Sequence, residues 1–329
     1  MLKEMGQTVP KEFDFVREAR LQAALQARLA PVGRAARVVI PTPRLDLTSR
    51  TVLVMQRLHG VSVAAVVRDA VAARAAGGGD GGAGSAAASA TLAAARSGVE
   101  ALLAAYGHMI FVGGLMHADP HPGNLLVLTD ADGLPTGDLG LLDFGQVKAL
   151  SADRRRLLAS LIIAIDDGDP DGVAAGLAAM GLCPAPGEAG APDPLLAAVL
   201  AAVVFDTAPL PAAAVNPLDE TGKSVLKVGE GGGGGEAAGA AATATRPPHP
   251  PPPPQMVPLA DFPSDLFQIG RTIMLLRGLT HALGVTASSA SLWRPHAEAA
   301  LRESPAVAAA KAAVNKALDN GDDHVDEDA

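Results

Sequence analysis

Apolar residues recur at helical spacing in some stretches of this chain and in short unbroken runs in others. Over Glu12 to Leu29 (EFDFVREARLQAALQARL), Phe15, Ala19, Leu21 or Ala23, and Leu25 fall near one face, which predicts a helix. Arg37 to Ile40 and Thr51 to Leu58 (TVLVMQRL) are β-branched runs separated by a Pro-rich turn, and read as paired strands. Val99 to Val112 predicts a helix closing at Gly113-Gly114. Asn124 to Leu128 and Leu139 to Asp143 are short apolar strands bracketing the turn TDADGLPTGD. After Ser151 the pattern turns helical, opening on a serine cap with an acidic residue in the first turn (SADRRRLLASLIIAI).

Three stretches interrupt this pattern and are expected to lie outside the folded part. Ala73 to Gly98 contains GGGDGGAGSAAASA, small residues without periodicity. Thr221 to Pro258 passes from GGGGG to PPPPP, a flexible piece followed by a stiff one. From about Ala306 an Ala-rich helix gives way to an acidic tail. Both internal stretches read as insertions in surface loops, where added length costs little entropy.

Composition narrows the function classes. Of 329 residues 49% are hydrophobic but only 3% aromatic, so the apolar surplus is Ala, Val and Leu, which favours helices. One cysteine, Cys183, excludes a disulfide scaffold and a cysteine zinc ribbon, and reads as a small core residue. The apolar runs Leu157–Ile165 and Leu195–Phe205 have core-helix length, short of a membrane span. The first residues, MLKEMGQTVPKEFDF, have no signal-peptide or transit character. The formal net charge is −9, and six acidic residues within the last eleven positions account for most of it. With no basic-aromatic interleaving, nucleic acid is not an expected partner.

The chemistry is concentrated in His117-Ala-Asp119-Pro-His121-Pro-Gly-Asn124 and, beyond the hairpin, Leu142-Asp143-Phe144-Gly145. An Asp with an Asn five residues later, then Asp-Phe-Gly, is the catalytic arrangement of kinase-like phosphotransferases. Phosphoryl transfer needs a group that accepts or orients the nucleophile's proton, for which Asp119 is suited. It also needs hard oxygen ligands for Mg²⁺, which Asn124 and Asp143 can supply from adjoining loops. His117 is expected to brace the loop by hydrogen bonding; a zinc site from His117, Asp119 and His121 is the lesser reading. Thr221-Gly-Lys-Ser lacks the leading glycine of a Walker motif, and Arg154-Arg155-Arg156 reads as a solvated face. Trp293 is expected to pack the terminal helices.

HADPHPGN, DFGQ at Asp143 to Gln146, and EFDFVREA at Glu12 to Ala19 resemble the UbiB/ADCK atypical kinases (the activity-of-bc-one-complex family). The resemblance extends to DFPSDLFQIGRTIMLLRGLTHALG near the C-terminus. It implies an α+β, protein-kinase-like two-lobed fold with a predominantly α-helical C-lobe. Residues 1–58 would form a partial N-lobe, and residues 59–220 a C-lobe with the catalytic loop and an insert at about 73–98. Residues 221–258 would be a Gly/Pro-rich insert, 259–305 the last C-lobe helices, and 306–329 the Ala-rich segment and tail.

The same resemblance assigns roles. Asp119 looks like the catalytic-loop aspartate, with Asn124 and Asp143 as metal ligands. Glu18 looks like the helix glutamate that pairs with the phosphate-binding lysine. Glu12 and Asp14 resemble the family's ExD pair, and Met55, Gln56 and Arg57 fall where a hinge would contact adenine through its backbone. The implied cofactors are ATP and Mg²⁺. The family's KxGQ helix, Ala-rich phosphate loop and strand lysine have no counterpart here, so the chain is expected to be a fragment with a truncated N-lobe. The implied function is an ATPase or small-molecule or lipid kinase supporting prenylquinone lipid metabolism, peripheral to a chloroplast or mitochondrial membrane. A homodimer or a lipid-biosynthesis complex is a further expectation. The alternatives are a non-catalytic pseudokinase or scaffold, and an aminoglycoside-type phosphotransferase.

Overall fold

The computed structural model describes residues 14–75, 86–209 and 263–320. The predicted first helix is α1, Phe15–Leu29. Asp14 caps it, its Oδ1 accepting from the backbone N–H groups of Val16 and Arg17 at 3.1 Å each. The buried face carries Glu18, Ala19, Leu21, Gln22, Leu25 and Leu29. Two polar side chains on this helix hold the chain that follows: Gln22 Nε2 donates to the Pro41 carbonyl at 2.5 Å, and Gln26 Nε2 to the Ile40 carbonyl at 3.0 Å.

The strands are short: β1 Val38–Val39, β2 Gly60–Ser62, β3 Leu115–His117, β4 Leu125–Thr129, β5 Pro135–Leu141 and β6 Val147–Ala149. Four of them form a sheet in the order β1-β5-β4-β2, and β3 pairs with β6 in a separate ladder. The expected hairpin is present as β4 and β5, antiparallel with Leu125 opposite Leu141.

The expected pairing of 37–40 with 51–58 is not observed. β1 runs parallel to β5 instead, with Val38 opposite Leu139. Residues 51–58 form no strand and meet the preceding segment in isolated bridges, Pro43 with Met55 and Ser49 with Val52, and in single side-chain bonds such as the Val54 N–H to Thr48 Oγ1 at 3.3 Å. Pro41 and Pro43 bring no N–H groups, so no continuous ladder can grow along this stretch.

Helix α2, Val63–Ala75, leads toward the Ala/Gly stretch, and α3, Ala86–Gly107, emerges from it. Much of the expected insert is therefore folded, and only residues 76–85 fall outside the described part. Alanine is the strongest helix former but gives no apolar contrast to read. Ala95 and Val99 are fully buried, and a Cβ at Gly98 would sit 2.6 Å from Leu139 Cγ, so α3 lies directly on the sheet. A π-helical turn, His108–Gly113, extends α3 as far as Gly114, a left-handed cap at φ 68°.

The remaining helices are α4 Ala152–Asp167, α5 Pro170–Ala179, α6 Pro194–Phe205, α7 Ser264–Leu283, α8 Ser289–Arg302 and α9 Pro305–Asn320. Ser151 caps α4 as expected, accepting from the Arg154 N–H. Trp293 of α8 is fully buried and donates its indole N–H to the Leu103 carbonyl of α3 at 2.6 Å. Cys183 is buried among apolar residues.

The Arg154–Arg156 run is not a solvated face. Arg155 is 2% exposed, donating to the Phe111 carbonyl and pairing with Glu303 at 2.8 Å. Arg154 pairs with Asp265, and Arg156 donates to the Glu303 carbonyl. Phe111 is 44 residues away, and Asp265 and Glu303 lie more than a hundred away, out of reach of any local pattern. The architecture is mixed α and β, dominated by helices, with a small sheet beside α1.

Candidate active site

Two loops form the centre of the site, and two ladders hold them. The loop from Ala118 to Asn124 leaves β3 and enters β4; the loop from Leu142 to Gln146 leaves β5 and enters β6. Because β4 pairs with β5 and β3 with β6, both ends of one loop are tied to both ends of the other. At one end the Leu142 N–H donates to the Asn124 carbonyl at 2.8 Å. At the other the Ala118 N–H donates to the Gln146 carbonyl, also at 2.8 Å. Asp119, Asn124 and Asp143 are thus brought together by backbone pairing. Within the first loop Asn124 Nδ2 reaches the Asp119 carbonyl at 3.4 Å.

His117 reinforces this arrangement from beneath. It is fully buried, and burial lowers its pKa, so the imidazole is neutral. Its Nε2 lies 2.6 Å from the Asp143 carbonyl oxygen, which can only accept, so Nε2 carries the proton. Nδ1 then accepts from the Tyr106 hydroxyl at 3.2 Å. The Tyr106 phenol is pushed far above its ordinary pKa by burial and stays protonated. His117 therefore acts as a brace, and it has no lone pair left for a metal. His121 is also engaged, its Nδ1 accepting from the Gly123 N–H.

Asp143 has φ +60°, a left-handed conformation that is costly for a residue with a side chain. That turn exposes its carboxylate while its carbonyl stays bound to His117, and Oδ1 accepts from the Gly145 N–H at 3.1 Å. Glu18 reaches the same turn from α1, accepting from the Phe144 N–H at 3.0 Å. Burial raises the Glu18 pKa most, its bond to Phe144 offsets this in part, and the neighbouring Asp143 charge raises it further. Among the described residues no ion pair compensates Glu18.

A cavity of about 680 Å³ opens over this turn. Its lining includes Phe15, Glu18, Met55, Asp143 and Gln146, so three of the predicted site residues border one space. Gln56 and Arg57 are exposed and do not line it, and the Gln56 N–H already donates to the Thr42 carbonyl at 2.8 Å. Asp14 serves as the α1 cap, and Glu12 lies outside the described residues. Asn124 and Asp143 offer an amide oxygen and a carboxylate, the hard donors that Mg²⁺ takes. No cluster of three His, Cys, Asp or Glu that could hold a metal occurs among the described residues. A Mg²⁺ ion here would complete its shell with phosphate oxygens and water, as it does in nucleotide sites. Among the described residues the lining contains no Lys or Arg, so these residues fit the metal better than they fit a bare triphosphate.

Arg271 and Thr272 of α7 also enter the site; they lie in the C-terminal stretch that shares the family resemblance, but no role was expected of either. Arg271 Nη2 pairs with Asp119 Oδ1 at 3.1 Å, and Thr272 Oγ1 donates to the Ala118 carbonyl at 3.1 Å.

A family model of the ABC1 atypical kinase-like domain matches residues 1–177, more than half the chain and the whole two-loop site. The chain belongs to this ABC1 family. Among curated relatives, an uncharacterized protein of Synechocystis is 30% identical over 169 residues, covering 50% of this chain and 36% of the relative. A probable serine/threonine-protein kinase of Dictyostelium discoideum is 29% identical over 156 residues, covering 47% and 20%. An uncharacterized aarF domain-containing protein kinase of Arabidopsis thaliana, described as chloroplastic, is 25% identical over 183 residues, covering 55% and 29%. The ABC1 chain described here thus spans about a third or less of the length of these relatives. Among solved structures, an erythromycin complex of a Mycobacterium tuberculosis protein aligns at a TM-score of 0.44 and 16% identity, covering 87% of this chain and 62% of that one.

Proposed function

We propose that this ABC1 chain carries the catalytic half of an ATP-dependent phosphotransferase or ATPase. Asp119 orients the acceptor and takes its proton. Asn124 and Asp143 hold Mg²⁺, which neutralises charge on the phosphates when bound. Glu18 sets the Asp-Phe-Gly turn and is the partner for a phosphate-binding lysine. His117 keeps the Asp143 carbonyl fixed, so the strained turn presents its carboxylate without reorganisation. The observation that carries this reading is the tying of the two loops at both ends, with the Asp143 carboxylate exposed between them.

The acceptor is a small molecule or a lipid. Support comes from the short path after the turn: Gly145 is followed at once by β6, and α4 begins at Ala152. A peptide-docking activation segment has no room there. In this reading the lipid is of prenylquinone type and is met at an organelle membrane surface, within a homodimer or a lipid-biosynthesis complex. The chloroplastic description of the Arabidopsis relative is in keeping with that address. No described helix is long and apolar enough to cross a membrane.

One observation favours a second reading, a nucleotide-binding scaffold: among the described residues Glu18 is buried with no compensating cation, and the described lining of the cavity has none. Incubating the full-length protein with Mg²⁺ and ATP labelled at the γ-phosphate distinguishes them. Label appearing in inorganic phosphate or in an added prenylquinone-headgroup acceptor, and lost in Asp119→Asn, supports the enzyme. Tight ATP binding without label transfer supports the scaffold.

A further inference from the structure

The segment His117 to Asn124 contains no lysine or arginine, and among the described residues neither does the cavity lining. Yet a loop carboxylate tied by both ladders to the turn that carries Asp143 needs something to fix its direction. The cation that does so comes from α7, 152 residues along the chain. Arg271 uses its fork on both loops at once: Nη2 on Asp119 Oδ1 at 3.1 Å, and Nη1 on Gln146 Oε1 at 3.1 Å and the Ala118 carbonyl at 3.4 Å. The next residue, Thr272, is fully buried, and its hydroxyl is shared between the Gln268 carbonyl of its own helix at 2.8 Å and the same Ala118 carbonyl at 3.1 Å. A guanidinium is planar and presents its N–H groups in fixed directions, so a fork held at three acceptors has one orientation.

We propose that Arg271 is a positioning residue for Asp119. By engaging Oδ1 it leaves Oδ2 to face the acceptor, and by engaging Gln146 it locks the catalytic loop to the Asp-Phe-Gly turn. This deepens the phosphotransfer reading and rests on it. The cost of losing such a group is geometric: misplacing a reacting group by about 1 Å costs about 10²-fold in rate. Ground-state ATP binding does not pass through Asp119 and is spared.

The test uses the full-length protein, with Arg271→Ala, Arg271→Lys and, as reference, Asp143→Asn. For Arg271→Ala, kcat for Mg-ATP hydrolysis falls about 10²-fold while KM for ATP moves less than about threefold. Lysine restores little, because it lacks the fork. Added guanidinium partly rescues the alanine variant and does nothing for Arg271→Lys or for the parent. Binding gives an independent reading: affinity for Mg-ADP with aluminium fluoride, a transition-state mimic, falls about as much as kcat, while affinity for Mg-ATP holds. If Arg271→Ala lowers affinity for the mimic and for Mg-ATP equally, or leaves kcat within twofold of the parent, the positioning role is wrong. In either case loss of hydrolysis in Asp143→Asn keeps the phosphotransfer reading intact. If Asp143→Asn hydrolyses ATP normally, the site assignment itself falls.

Discussion

Two segments flank the Asp-Phe-Gly turn, one tied to it by backbone pairing and one facing it across the cavity, and they are held in opposite ways. The loop from Ala118 to Asn124 is fastened by both ladders, by the buried His117 beneath it, and by Arg271 and Thr272 from a distant helix. The wall from Thr51 to Met55 has no ladder, being held by isolated bridges and single side-chain bonds, with Val52 exposed and proline-rich partners at 41–43. Under the proposed function, rigid geometry is concentrated where a proton and a phosphoryl group would move, and the wall proposed to meet the nucleotide has the weaker pairing. Glu18 joins the two sides, buried from α1 but bonded to the turn. It lacks a compensating charge among the described residues.

Breaking the well-fastened side has the largest effect. His117→Ala leaves the Tyr106 hydroxyl and the Asp143 carbonyl without partners and opens a hole beside Phe144, whose ring meets the imidazole edge-on at 5.7 Å. Each orphaned group costs about 1–3 kcal/mol, so urea denaturation should show a loss of about 3 kcal/mol or more. A loss under about 1 kcal/mol would contradict the brace. At Glu18 the contrast reverses sign. Glu18→Gln keeps an oxygen for the Phe144 N–H and removes a desolvated charge next to Asp143. Stability is therefore expected to hold or rise by up to about 1 kcal/mol, while ATP turnover is lost. A clear drop in the melting midpoint would show that Glu18 has a cationic partner.

The motif-bearing loops were legible because their side chains are dense and ordered along the chain. Asp119, Asn124 and Asp143 announce themselves within 25 residues, and the hairpin between them is marked by its turn residues. What was not legible depends on distance or on missing contrast. Arg271 and Arg155 gain meaning only from partners more than a hundred residues away, Asp119 and Glu303. The alanines of α3 carry helix propensity but no amphipathic stripe. Thr51 to Leu58 has strand-like composition, yet Pro41 and Pro43 deny it a continuous partner.

Acidity is the gentlest way to loosen the fastened side. Burial lowers the pKa of His117, His108 and His296, so each is neutral in the fold and takes up a proton more readily when unfolded. The unfolded chain then binds more protons below about pH 6.5, and stability falls as pH drops from there toward the folded-state values. Glu18, raised instead, works the other way as pH approaches 4.5. Three groups outweigh one, so the urea midpoint at pH 5.5 should lie below that at pH 7.5. An equal or higher midpoint at pH 5.5 would mean that the imidazoles are charged in the fold.

The central claim is that the exposed carboxylate of Asp143, set at φ +60° between two tied loops, holds the metal for phosphoryl transfer. It is tested most directly by Mg²⁺-dependent ATP hydrolysis in the full-length protein and its Asp143→Asn variant, with equal folding verified by circular dichroism. Hydrolysis that falls to background in the variant is the predicted result. Hydrolysis at the parental rate would contradict the account.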